Sequence, residues 1–237
     1  MLKWNLQLFG GRGAGSGGGG LPTLKPSGGG SGSGGGQFSN GVGLQNIDTL
    51  KEAIGKKGQA MSIQRAVEGA NPYFDRTGTY KEFTENCQRC VVAYEARRRG
   101  YNVVAQPTYE GDILPQANVA GKGQARWQGA FQGAKSEKVG AKTADKALAN
   151  VEAKMKEYGN GSRAVLGVQW KNGGGHVLNV ENKNGKTLFV DAQVGGKYTA
   201  KDLFKAIKPS EVRLVRTDNL KFSDRAKKSI EQSGRRD

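Results

Sequence analysis

The sequence predicts an α+β fold in which helices come first and an antiparallel sheet follows. Apolar residues recur at helical spacing in separate stretches from Leu44 to Gly159, and alternating runs rich in Val, Leu and Phe then follow, cut by an Asn-Gly turn. Glycine sets the size of the folded part. Of the 38 glycines, 15 fall in residues 1–40, so the 237 residues should hold one domain of about 150 to 190.

Residues 10–36, "GGRGAGSGGGGLPTLKPSGGGSGSGGG", cannot bury enough apolar surface to offset their ordering entropy, and they read as a flexible tether. Ahead of them "WNLQLF" gathers Trp4, Leu6, Leu8 and Phe9, a candidate docking peptide. The expected division is therefore a leading segment at 1–43, a domain at 44–217 and a basic tail at 218–237.

The domain should open with two short helices. In the first, Ile47, Leu50 and Ile54 share a face before Gly55; the second runs from Ser62 to the stop at Asn71-Pro72. "CQRCVVAYEARRRG" is a third, with Cys90, Val91, Tyr94 and Arg98 near one stripe, arginines in the last turn where the helix dipole favours cations, and Gly100 as the stop. "YNVVAQP" reads as a short strand, and 108–140 as loop with one short helix around Trp127 and Phe131. Thr143 can cap a further helix whose face carries Leu148, Val151, Met155 and Tyr158, ended by Gly159. "RAVLGVQW", "HVLNVENKNGKTLFVDAQ" and "EVRLVRT" read as strands, with Asn184-Gly185 supplying the positive φ angles of a tight hairpin.

Lys and Arg total 37 against 21 Asp and Glu, a net charge of +16 spread along the chain. That balance favours polyanions, so non-specific DNA contact through a basic surface is one expected partnership. No apolar run approaches the ~20 residues that cross a bilayer, so no membrane partner is expected. "MLKWNLQLFGG" is too short and too polar for the core of a secretory signal.

The chemistry must come from two cysteines and one histidine. A Cys87–Cys90 disulfide would close a loop too small to stabilise much. A structural zinc site needs four ligands, and Cys87, Cys90 and His176 would need Asp191 as the fourth. The remaining reading is a nucleophile, with no metal and no cofactor. Cys87 sits in the first turn of its helix, where unpaired N–H groups and the dipole favour thiolate and would face an oxyanion. Cys90 lies a turn deeper beside Val91 and Val92 and fits a small core residue. His176 is the one side chain suited to act as base and then acid, and Asp191, across the Asn-Gly hairpin, could hold its tautomer.

The order "NPYF", Tyr80, "NCQRCVVAYEARRRGYNVVAQP", "GSRAVLGVQW", "GGGHVLNVENKNGKTLFVDAQ" resembles the papain-fold toxin family of glutamine deamidases, in the version found in phage and prophage structural proteins. The likeness runs from about residue 44 to about residue 216. It implies a papain-like fold and places the family's catalytic Cys, His and Asp on Cys87, His176 and Asp191. Asn86, Gln88 and Gln193 flank these as candidates for support or oxyanion donation. Ala192 stands where the family commonly has Pro, a departure that bears on local geometry. "NLQLFGGRG" also looks like the start of phage minor head proteins.

The expectation is thus a cysteine-dependent hydrolase acting on a host protein, either a glutamine deamidase or a peptidase with the same triad. The alternative from another class is a non-catalytic minor head protein that binds protein or DNA. Residues 1–9 would dock to head proteins, and the chain would reside in the phage virion, the bacterial cytoplasm or both.

Overall fold

Six antiparallel strands form the backbone of the domain, with helices on both faces. The computed structural model describes residues 47–108 and 127–234. The expected tether and docking peptide lie outside the described residues, as does most of the expected loop before Trp127.

Helix α1 (Leu50–Ile54) begins later than the apolar spacing predicts. Thr49 and Glu52 form a capping box, which fixes the start and leaves Ile47 buried ahead of the helix. Helix α2 (Ile63–Ala70) is capped by Ser62, whose hydroxyl accepts from Arg65 N–H, and it ends at Asn71 as expected. A single turn, α3 (Lys81–Thr84), precedes α4 (Cys87–Arg98), which continues into strand β1 (Val103–Ala105). After a 3-10 turn at Trp127–Ala130 and the short β2 (Glu137–Lys138) comes α5 (Ala144–Tyr158), capped by Thr143.

The main sheet follows: β3 (Arg163–Gln169), β4 (Gly175–Lys183), β5 (Lys186–Asp191), β6 (Gly196–Tyr198) and β7 (Arg213–Arg216), with α6 (Ala200–Ala206) between the last two. Their order is β2-β7-β3-β4-β5-β6, every pair antiparallel. The β4–β5 hairpin turns at Asn184 (φ 53°) and Gly185 (φ 80°), the positive pair that the Asn-Gly dipeptide predicts.

Alternation along the strands splits the core in two. Val165, Val177, Val190 and Val215 face α2 and α4, while Leu166, Leu178, Phe189 and Leu214 face α5 and α6. On α5 the expected stripe is half right: Val151 and Met155 are buried with Ala147, and Leu148 and Tyr158 lie at the margin.

Two differences from the sequence reading have clear physical causes. Helix α4 was expected to bury one stripe, yet Cys87 through Arg97 are all buried. The polar residues are matched inside. Glu95 takes Arg99 (2.7 Å) and Arg163 (2.9 Å), and Glu181 takes Arg98 (2.6 Å) and the Tyr94 hydroxyl (2.7 Å). Residues 218–234, expected as a tail beyond the domain, instead fold into it. Strand β8 (Ile230–Gln232) pairs antiparallel with β1, and Ala226 and Ile230 are fully buried. The cause is α4 itself: Arg89 donates to the Lys228 carbonyl, and Arg99 donates to the carbonyls of Thr217 (2.6 Å) and Leu220 (2.7 Å). Buried guanidinium groups need acceptors, and this segment supplies them.

Candidate active site

Three elements meet where α4 begins. Cys87 is its first residue, His176 is the second residue of β4, and Asp191 is the last of β5. The β4–β5 ladder brings the latter two together: His176 Nε2 lies 2.8 Å from Asp191 Oδ2, both side chains buried. With Nε2 so engaged, Nδ1 is the ring nitrogen left to face Cys87, which lies near enough to help raise the imidazole's proton affinity. The structure thus brings the expected trio to one corner.

Charge on the pair follows from its surroundings. Burial alone would push the imidazole down, but Asp191 first, and then Cys87, draw it up to about 10. Burial opposes the Asp191 carboxylate as well, yet His176, the Gln193 N–H and the Tyr198 hydroxyl hold it below the usual range. The Gln193 N–H bond to Asp191 Oδ1 is 3.0 Å. It comes from the residue after Ala192, so Ala in place of Pro leaves it intact.

Asn86 and Gln193 brace this corner. Asn86 donates to Asn71 Oδ1 and the Gln106 carbonyl, while its own carbonyl accepts from the Cys90 thiol at 3.1 Å. Gln193 donates to the Thr84 carbonyl, and Asn71 donates to the Gln193 carbonyl, each at 2.8–2.9 Å. The amide nitrogens of both candidates are therefore spent on the scaffold, so the structure gives them a supporting place rather than an oxyanion-donating one. Gln88 accepts the Trp127 N–H at 3.2 Å and lines a cavity beside His176.

Cys90 is fully buried, and burial pushes its thiol well above the ordinary value. Both cysteines are free thiols. Cys90 turns to Asn86 rather than to His176, and among the described residues no group of three or more His, Cys, Asp or Glu is arranged to hold a metal. No helix among the described residues is long and apolar enough to cross a membrane.

Two site residues escaped the sequence reading. Trp170 stacks on the His176 ring with centroids 5.6 Å apart and planes 25° apart, covering it from solvent. Tyr198 pairs with Phe189 across β5–β6, which sets it diagonal to Asp191 on the same face, close enough to donate to the carboxylate. A strand at 196–198 would have been the clue, but three residues with one apolar side chain carry no periodic signal.

No curated protein and no solved structure matches this chain. Residues 85–196 do match a family, described as papain fold toxin 1, glutamine deamidase. The matched stretch begins two residues before Cys87 and ends five after Asp191, so Cys87, His176 and Asp191 all lie within the part of the chain that is similar to that family.

Proposed function

We propose that this protein is a cysteine-dependent deamidase of glutamine side chains in a host protein, with Cys87 as nucleophile, His176 as general base and acid, and Asp191 as the group that orients the imidazole. The observation that carries the reading is the single imidazole held between a buried carboxylate, 2.8 Å away, and a thiol at a helix start.

The steps follow from the placement. The Cys87 proton is held on His176 Nδ1, and the sulfur attacks Cδ of the glutamine carboxamide. The oxygen of the tetrahedral adduct develops charge at the head of α4. There the first N–H drawn into the helix's own bonding is that of Arg89, to the Asn86 carbonyl, so the Cys87 N–H precedes the ladder and is placed to donate. The imidazolium returns its proton to nitrogen, ammonia leaves, and a thioester remains. Water, deprotonated by His176, then attacks the thioester, releasing a glutamate side chain and restoring the thiol. Asp191 keeps Nδ1 aimed at sulfur throughout, and Trp170 keeps bulk water off the ion pair.

The test is intact-protein mass spectrometry of host proteins exposed to the purified chain. A gain of about 1 Da at a glutamine, absent with Cys87→Ala, is the expected result. Fragments instead of mass shifts would select the peptidase, and full turnover by Cys87→Ala would overturn the mechanism.

A further inference from the structure

A cavity of about 130 Å³ opens beside His176, between β3, β4 and β7 on one side and the 127–130 turn on the other. Its inner wall is apolar, built from Val165, Val177 and Val215. The gap among them exists because β3 has no side chain at Gly167. The Gly167 φ is not positive, and a Cβ built there would meet nothing closer than the Arg213 carbonyl oxygen at 4.0 Å. Neither backbone strain nor close packing therefore calls for glycine at this position. The consequence of the missing side chain is the space itself.

Polar groups line the cavity as well, Ser136, Gln169, Glu211 and Arg213 among them. His176 and Gln88, the residue after Cys87, line the cavity, and so does Gln128, whose carbonyl Oε1 is buried without a hydrogen-bond partner. A buried acceptor left so is costly unless a donor arrives. The volume, that of about four waters, accommodates a side chain of five non-hydrogen atoms with methylenes along the valines and N–H groups at the end. Glutamine has that shape, and its amide nitrogen carries the donors that Gln128 lacks.

We propose that this cavity is the pocket for the target glutamine side chain, with Gly167 setting its depth and Gln128 holding the amide nitrogen. The proposal rests on the deamidase reading above and adds to it a selection of glutamine over asparagine, which is one methylene too short to bring its carboxamide to both Gln128 and sulfur.

The test uses two chloroketones, in which CH2Cl replaces the NH2 of an N-acetyl-glutamine or N-acetyl-asparagine methylamide, and iodoacetamide as a reagent that needs no pocket. Cys87 sulfur displaces chloride or iodide, and peptide mass mapping gives the rate of each. In the wild-type chain the glutamine reagent should outpace the asparagine one by about tenfold or more. Gly167→Val should remove that advantage while iodoacetamide still reaches Cys87; Gln128→Leu should leave it unchanged, because the reagents carry no amide nitrogen, and should instead slow ammonia release from N-acetyl-glutamine methylamide. If Gly167→Val lowers the melting temperature enough to cloud the rates, Gly167→Ala, for which the structure has room, is held to the same criterion with a smaller drop. Equal advantage in the Gly167 variants and the wild type overturns the pocket while Cys87-dependent turnover still stands. Failure of all three reagents to label Cys87 in the wild type overturns the pocket and the nucleophile together.

Discussion

At the scale of single residues, the proposed site makes a pH-dependent contribution to stability whose sign can be worked out. The His176 imidazole is raised to about 10 in the folded chain against an ordinary 6.5, so folding takes up a proton between those values. Its stabilising share is complete below about pH 6.5 and drains away as pH climbs to about 10. Asp191, held low, matters at the other end, where stability is lost as acid protonates it. The melting temperature of the wild type should therefore fall more steeply between pH 6.5 and 10 than that of His176→Gln; parallel curves would show that the buried pair is not ionised. The two cysteines offer a second check. Cys87 should alkylate quickly and Cys90, buried and turned to Asn86, slowly, with Cys90→Ala keeping activity. Much of this was legible in the sequence because the inventory was small: one histidine, two cysteines, and a carboxylate one hairpin away. Trp170 and Tyr198 were not, since stacking and diagonal pairing depend on a sheet register that no local pattern encodes.

At the scale of elements, α4 is the centre of the domain rather than one of its walls. A helix with Arg at 89, 97 and 98 and Glu at 95 reads as amphipathic, and an amphipathic helix buries one side. Here the charged side is buried too, because Glu95, Glu181 and backbone carbonyls from distant segments receive the guanidinium groups. Partners that lie far away in sequence cannot be read from spacing, whereas the boundaries of α2 and α5 could, since Ser62 and Thr143 cap their own helices. Breaking such a pair leaves charge uncompensated. Glu95→Ala should cost about 3 kcal/mol in denaturant unfolding; a change under about 1 kcal/mol would mean that solvent reaches the arginines and the burial of α4 is overstated.

At the scale of the whole molecule, the domain is held shut by the segment that the sequence assigned to a tail. Residues 218–234 contain Lys221, Arg225, Lys227 and Lys228, and a basic run next to a strand reads as solvated chain. Only three-dimensional placement shows that Ile230 fills the core beneath α4 and that Gln106 donates to its carbonyl. Ile230→Ala should cost about 2–5 kcal/mol, and a chain cut after residue 217 should lose its cooperative melting transition altogether; an unchanged transition in the cut chain would restore the tail. The closure is also late in time. Gln106 and Ile230 are separated by 124 positions, which takes a ribosome roughly ten seconds to traverse. For that interval the nucleophile has been made but the floor beneath its helix has not. Growing chains stalled short of residue 230 should label at Cys87 no faster than at Cys90.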